Sequence, residues 1–517
     1  MEAMRIGIDV GGTNTDAVLM CGGEVKISHK TPTSENISDG IVTAVESVLK
    51  GSSIRPEQVQ SVMVGTTQFT NAFVERQFLL PVGVIRLALP ATRGLPPMID
   101  WPADIARVIG QHHYLVGGGY EFDGRPIAPL DKNAIADAAK DLGKKGIRSV
   151  AITSVFSPLN DDMEKLAEEI IRCEIPDVSV SLSSRIGRIG LLERENATIM
   201  NASLSDLSAS FIASFCDALA RLDIFAPFYI SQNDGTLMTA DFAKKYPVLT
   251  FASGPTNSMR GAAYLSDIKN ALVADIGGTT TDIGMLVNGF PRESTVTVDI
   301  GGVRTNFRMP DILAAGLGGG SLVKLDGNIK VGPKSVGFRI KDVARIFGGD
   351  ILTATDIAVA AGYADIGDRS RLSDLPPAFI DESLGIIHQV LENLVDRMKT
   401  SGNEVPLILV GGGSILINRD IAGVSEIIIP DHAGVANAIG ASITQIGGEV
   451  DKVYSYEEVG RETAIDCAKK EAIKNAIEAG ANESSVEIID FEEVHLAYMP
   501  GNAVRLRVKA AGELRAC

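Results

Sequence analysis

Short apolar runs interrupted by glycine turns stand at two distant places in the chain. Ile6-Gly7-Ile8 and the run 17–20 flank one Gly-Gly pair, and the runs 271–274 and 283–287 flank another. An apolar run, a glycine turn and a second apolar run predict a β-hairpin at each place. Downstream the period changes. Residues 38–50 (SDGIVTAVESVLK) and 132–146 (KNAIADAAKDLGKKG) place apolar side chains at helical spacing, whereas 59–65 (VQSVMVG) and 147–156 (IRSVAITSVF) read as strands. Alternation of this kind predicts α/β architecture. A boundary is expected near 181–190, where small and polar residues collect before a helical stretch over 191–222. The last part, from about 451, reads as a helix over 464–480 followed by three strands at 485–491, 494–499 and 503–510, a small α+β unit.

The two hairpin turns are nearly the same text. DVGGTNTD at 9–16 and DIGGTTTD at 275–282 differ only at Val10/Ile276 and Asn14/Thr280, so a shared physical task is a better explanation than two unrelated turns. Gly11-Gly12 and Gly277-Gly278 lack the Cβ that would hold a ligand away. Asp9 and Asp275 each end a strand, while Thr13, Asn14 and Thr15, and Thr279, Thr280 and Thr281, put hydroxyls and N–H groups around the turns. That set suits a nucleotide: donors for phosphate oxygens and carboxylates for a hydrated Mg2+. A third stretch, PLILVGGGSIL at 406–416, is an apolar strand ending in Gly411, Gly412, Gly413 and Ser414, where bare backbone admits a flat group such as adenosine.

Composition narrows the partners. At 517 residues the chain is too long for one core and should form two or three domains, and 45% apolar with 22% charged residues is ordinary globular usage. A net charge of −17 with no long basic run argues against nucleic acid. Five cysteines without a Cys-x-x-Cys pair suit a reducing compartment. No signal peptide is expected at the start, and the most apolar stretch, 78–90, is broken by Pro81, Arg86 and Pro90, so no membrane association and a cytoplasmic location are expected. His112-His113 is a poor metal site because adjacent side chains diverge. Walker, Gly-x-Ser-x-Gly and His-Glu-x-x-His patterns are absent from the sequence.

Two phosphate-type hairpins and a glycine-ended strand resemble the actin, Hsp70 and sugar-kinase superfamily. The resemblance implies two actin-like (ribonuclease H-like) domains flanking an ATP cleft: 1–185 with the first phosphate loop, 186–450 with the second phosphate loop, the adenosine loop and a returning hinge helix at 433–442, and 451–517 as the α+β appendage. It implies ATP and Mg2+ as cofactors, with Asp9 at the metal shell and Asp275 orienting water or the metal. A closer resemblance is to the hydantoinase/oxoprolinase family, carried by VGTTQFTNAFVER at 64–76, FASGPTNSMRGAA at 251–263 and the block at 310–337. It departs from many members at 87–102 (LALPATRGLPPMIDWP) and in a shorter C-terminal unit.

This likeness implies an ATP-dependent hydrolase that opens a cyclic amide or imide by phosphoryl activation of the carbonyl. It also implies a B-type partner subunit and an oligomer. A small-metabolite kinase and an ATP-driven conformational subunit remain alternatives. Thr66 and Thr67, with Asn71, stand where a strand meets a helix: a catalytic anion contact and a plain helix cap both fit. Asp311 and Ser321 bracket the 316–320 turn and are expected at a ligand by resemblance, whereas Asp356 reads more simply as a helix cap.

Overall fold

The computed structural model describes residues 4–11, 14–32, 37–294, 298–306, 309–443, 445–497, 499 and 501–515. Both expected hairpins form: Met4–Val10 pairs antiparallel with Asn14–Cys21, and Ala271–Ile276 with Thr281–Val287. Each belongs to its own sheet. Among the described residues the first sheet runs in the order Glu487–His495, Ala503–Gly512, Ile446–Ser455, Leu237–Thr239, Phe228–Ser231, Ser61–Thr66, Met4–Val10, Asn14–Cys21, Glu24–Pro32. The second runs Phe290–Pro291, Thr281–Val287, Ala271–Ile276, Val405–Val410, Val424–Ile428, with Ile312–Ala315 also paired to Thr281–Val287. A separate all-parallel sheet joins His112–Gly117, Gly83–Leu89, Ser149–Ser154 and Ser179–Leu182.

Sheet membership runs across the boundaries expected at 185/186 and 450/451. Phe228–Ser231 and Leu237–Thr239 lie in the first hairpin's sheet, and Ile446–Ser455 joins it beside Leu237. The C-terminal unit therefore continues this sheet.

Local chemistry explains the elements. Helix Ile37–Ser52 buries Ile41, Val45 and Val48 in the same core as Ile6, Ile8, Val62 and Val64 of the sheet. Helix Lys132–Lys144 starts where the Asp131 carboxylate accepts the Ala134 N–H, and it buries Ile135, Ala138, Ala139 and Leu142 along one stripe. In helix Arg461–Glu478 the buried side is Ala464, Ala468, Ala472 and Ala476, whose small side chains let it lie close on Val504, Leu506 and Val508.

Two local expectations change. The helix over 191–222 is two, Leu191–Ser203 and Ser205–Arg221, parted at Leu204. Asn201 and Ser203 spend their polar groups elsewhere, Asn201 on the Lys245 carbonyl and Ser203 on the Met200 carbonyl, and such side chains compete with continuous helix. The strands at 485–491 and 494–499 form one strand, Glu487–His495. Within it Glu493 accepts from Tyr456 and Arg461, which holds residues 492–493 in the ladder.

The chain passes between the two hairpin sheets twice, through helix Ser253–Ser266 and back through Ala436–Ile443. These helices cross with backbones in contact. A Cβ on Gly440 would overlap the Asn257 carbonyl, one on Gly261 the Ala436 carbonyl, and one on Gly7 the Ala438 carbonyl, which presses the returning helix onto the first sheet. No helix among the described residues is long and apolar enough to cross a membrane.

Glycine is thus required at the crossing. Gly440→Ala should lower the midpoint of thermal unfolding by several degrees, overpacking of this kind costing about 1–3 kcal/mol or more. Gly385→Ala, at a helical position with open space around it, should leave the midpoint unchanged or raise it, a gain of about 0.5–1 kcal/mol. Equal midpoints for Gly440→Ala and the parent chain would refute the close crossing.

Candidate functional site

The antiparallel register places Asp9 directly across from Asp16, and Asp275 directly across from Asp282. Residues opposite one another share a sheet face. Each repeated motif therefore delivers its first and last aspartate as a facing pair, and both turns close alike, Gly11 N–H donating to Asn14 O at 3.0 Å and Gly277 N–H to Thr280 O at 2.9 Å. Gly12 and Thr13 lie outside the described residues.

The four carboxylates are held by different partners. Asn437, on the returning helix, donates Nδ2 to Asp9 Oδ2 at 2.9 Å, while Asp9 Oδ1 is buried with no partner. Lys30 Nζ lies 2.6 Å from Asp16 Oδ2, and Asp16 Oδ1 is likewise unpartnered. Ser258 Oγ donates to Asp275 Oδ2 at 2.5 Å. Burial, followed by repulsion from Asp16 and Asp275, pushes the Asp9 carboxyl up to about 7. Burial and then Asp275 raise Asp282 to about 7 as well. Burial also raises Asp16, against the pull of Lys30, and Asp275, against the Ser258 hydrogen bond. Asn257, one residue before Ser258, is fully buried, and neither end of its amide has a partner. A Cβ on Gly65 would lie 2.8 Å from Asp9 Oδ1 and would overlap Asn257 Nδ2, so these two unpartnered atoms share the space above Gly65.

The remaining expected residues fall into three groups. Thr66 lies beside Val10 in the parallel register and is buried; its Oγ1 accepts the Gln68 N–H at 3.2 Å and its carbonyl accepts from Ser253. Thr67 Oγ1 accepts from Asn71 Nδ2 at 3.4 Å. Both threonines therefore border the first hairpin with their hydroxyls held by local bonds. Around the second hairpin, Gly278, Thr279 and Thr280 are exposed, whereas Thr281 is buried and its hydroxyl donates to Leu317 O at 2.7 Å. The Gly411–Gly413 turn packs directly on this hairpin: Gly413 N–H donates to Ile276 O at 2.7 Å, a Cβ on Gly411 would strike Asp275 Oδ1, and Gly412 faces open space with Ser414 buried behind it.

The third group is structural. Gly319 and Gly320 N–H donate to the carbonyls of Gly277 and Gly278, so the 316–320 turn braces the second hairpin. Ser321 Oγ accepts the Gly318 N–H, and Asp311 is ion-paired to Arg292 at 2.7 Å. Asp356 closes a capping box with Thr353 and also accepts the Ile346 N–H. The buried His113 Nε2 has no partner, and burial lowers that imidazole's proton affinity. Among the described residues no three or more His, Cys, Asp or Glu side chains are grouped to hold a metal.

Two orphaned carboxylate oxygens, and glycines where a side chain would fill the cradle, fit a hydrated divalent cation that keeps most of its waters. The sequence reading missed Asp16, Asp282, Lys30, Asn257, Ser258 and Asn437. The first two were signalled by the repeat itself, because a hairpin that begins and ends in Asp must oppose them.

A sequence profile described as the hydantoinase/oxoprolinase N-terminal region matches residues 5–175, and one described as hydantoinase/oxoprolinase matches 194–368. The acetophenone carboxylase gamma subunit of Aromatoleum aromaticum is 28% identical, covering 69% of this chain and 53% of its own length. Caprolactamase subunit alpha of Pseudomonas jessenii is 27% identical over 74% of this chain and 59% of its own. The chain thus spans just over half the length of each. The crystal structure of the ATP-dependent caprolactamase from Pseudomonas jessenii superposes with a TM-score of 0.79 at 20% identity, covering 99% of this chain and 88% of that one, and identifies the fold as the actin-like α/β type.

A folded-state carboxyl titrating near 7 keeps a proton that the unfolded chain releases near 3.8. Asp9 therefore makes no difference to stability below about pH 4 and weakens the metal-free fold progressively as pH rises to about 7, by roughly 1.4 kcal/mol per unit at most. Asp9→Asn should unfold at a higher temperature than the parent chain at pH 8 in chelator, with the gap narrowing at pH 5. A gap that does not change with pH would contradict the shift.

Proposed function

Because the chain belongs to the hydantoinase/oxoprolinase family, we propose that it uses ATP to activate the carbonyl of a cyclic amide or imide for ring opening. The observation that carries this reading is the pair of duplicated hairpins, each presenting two opposed carboxylates, with the Gly411–Gly413 turn packed against the second. An amide carbonyl is a poor electrophile. Attack of its oxygen on the γ-phosphorus forms one P–O bond as the bond to ADP breaks. Water then adds to the activated carbon, the ring nitrogen leaves with a proton to give an acyl phosphate, and a second water hydrolyses that to the acid and free phosphate. Such transfer is chiefly positioning and charge neutralisation.

The chain's own groups suit those tasks. The exposed turn at Gly278, Thr279 and Thr280 offers N–H and hydroxyl donors to phosphate oxygens, while Thr281, its proton committed to Leu317, serves the turn's shape. The bare backbone at Gly412 leaves room for adenosine. Asp9, through Oδ1, and Asp275 would hold the shell of Mg2+, which when bound supplies charge neutralisation at the phosphates. Asn437 and Ser258 fix the orientation of those two carboxylates. Thr66 and Thr67 border the same hairpin and are proposed to contact the transferring group.

The two relatives described above are named as subunits, which supports a separate partner of the B type providing the hydrolytic step. The likeness to a carboxylase gamma subunit favours a second reading, in which ATP use in this chain serves chemistry completed on another polypeptide. One assay separates the readings. ATP turnover is measured with a panel of lactams, hydantoins and 5-oxoproline, with and without any co-purifying protein, following free phosphate and ring-opened acid together. We expect both products in equal amounts and a loss of about 100-fold or more in Asp9→Ala and Asp275→Ala, whose circular dichroism stays native. A stable phosphorylated metabolite without free phosphate would instead mean a kinase.

A further inference from the structure

Away from the hairpin turns, a cavity of about 850 Å³ opens between the 183–188 segment, the Leu237–Thr239 strand and the C-terminal strand and helix. That volume lies in the usual range for a small-molecule pocket. Its wall is rich in charge, and nearly all of it is internally matched. Asp161 is paired with Lys165 at 2.7 Å, Asp451 with Arg505 at 2.5 Å, Lys452 with Glu471 at 2.6 Å and Asp234 with Lys509 at 2.9 Å. Glu449 faces Arg507 at 3.2 Å, and Arg507 also meets Glu293, Asp490 and Glu492.

Arg188 differs. Its backbone is pinned at both ends, N–H to Asn306 Oδ1 at 3.2 Å and carbonyl to Arg194 at 2.8 Å, so the residue is firmly placed. The residue lines the cavity, its side chain has no hydrogen bond or ion pair among the described residues, and its Nε is shut off from water. Asp451 and Glu293 attract it from a distance while Arg505 and Arg507 repel it, and burial is the largest influence, lowering its proton affinity. A half-buried guanidinium with unfilled donors calls for an acceptor, and a carboxylate matches its fork. The wall nevertheless holds more carboxylates than cations, and a carboxylate already paired keeps spare lone pairs for another donor. A ligand suited to this wall brings an anion for Arg188 and can place a cation against the spare lone pairs of the acids.

We propose that this cavity binds a small zwitterion, an amino acid whose carboxylate is taken by Arg188 and whose ammonium rests among the acidic wall groups. Ring opening of a lactam yields such a molecule, so assigning the zwitterion as the reaction's product rests on the proposed function; the binding itself does not. The cavity is also joined to the carboxylate site. Thr256 donates Oγ1 to the carbonyl of the wall residue Asn233 at 3.1 Å, and of the next two residues of that helix Asn257 shares the space above Gly65 with Asp9 while Ser258 donates to Asp275.

The test is calorimetric titration of the full chain, without nucleotide, using three probes of equal length: 5-aminopentanoate, pentanoate and pentylamine. The zwitterion should bind saturably and at least tenfold more tightly than either singly charged probe. Arg188→Gln should weaken it tenfold or more with an unchanged circular dichroism spectrum, and Arg188→Lys should retain part of the affinity. Pentanoate binding as tightly as the zwitterion, equal binding in Arg188→Gln, or no heat from 5-aminopentanoate at tens of millimolar would each overturn the proposal. Should Arg188→Gln fail to fold, the three-probe comparison on the parent chain still decides. Because no ATP or lactam is present, failure here is distinct from failure of the ring-opening assay.

Discussion

Everything at the site hangs on the contact of two helix backbones. Helices Ser253–Ser266 and Ala436–Ile443 approach so closely at Gly261 and Gly440 that neither glycine has room for a methyl group. The same helices carry Ser258, which bonds Asp275, and Asn437, which bonds Asp9. The crossing thus sets the distance between two carboxylates that lie on different sheets. A looser packing would leave both hairpins intact and still misplace the groups that orient their aspartates.

The site also holds its charge at a cost. Asp9, Asp16, Asp275 and Asp282 are all raised by burial, and only Lys30 brings a countercharge close to them among the described residues. A fold selected for stability alone would have neutralised such a cluster, and perturbed carboxylates gathered around unpartnered oxygens are the mark of a place kept ready for a ligand. The buried Asn257 amide belongs with them, since two unfilled hydrogen-bonding ends at full burial are otherwise an unrecovered penalty.

The hairpins, the strand before Gly411 and the helices Ile37–Ser52, Lys132–Lys144 and Arg461–Glu478 were legible in the sequence because each rests on a short-range pattern. Asp9, Asp275 and the glycines were found through duplication. Lys30, Asn257, Ser258 and Asn437 were not, because their roles arise from pairing between segments far apart in sequence, and an isolated Asn or Ser in a helix gives no local sign of where it points. Thr281 looked equivalent to its neighbours until packing set its hydroxyl on Leu317. The C-terminal unit read as an appendage for a similar reason: nothing in 451–517 announces that the strand entering it joins the sheet begun by residues 4–10.

That continuation settles how the first sheet ends. An open sheet must expose a row of unpaired N–H and C=O groups at each edge, which invites pairing with another chain. Without the last three strands, Ile446–Ser455 included, the edge would be Leu237–Thr239, three residues backed by the apolar Met63 and Tyr229. Instead the outermost strand is Glu487–His495, with Glu487, Asp490, Glu492 and Glu493 along its length. Like charges brought edge to edge repel, so the C-terminal segment works as a guard against aggregation, moving the sheet's sticky margin from an apolar strand to an acidic one.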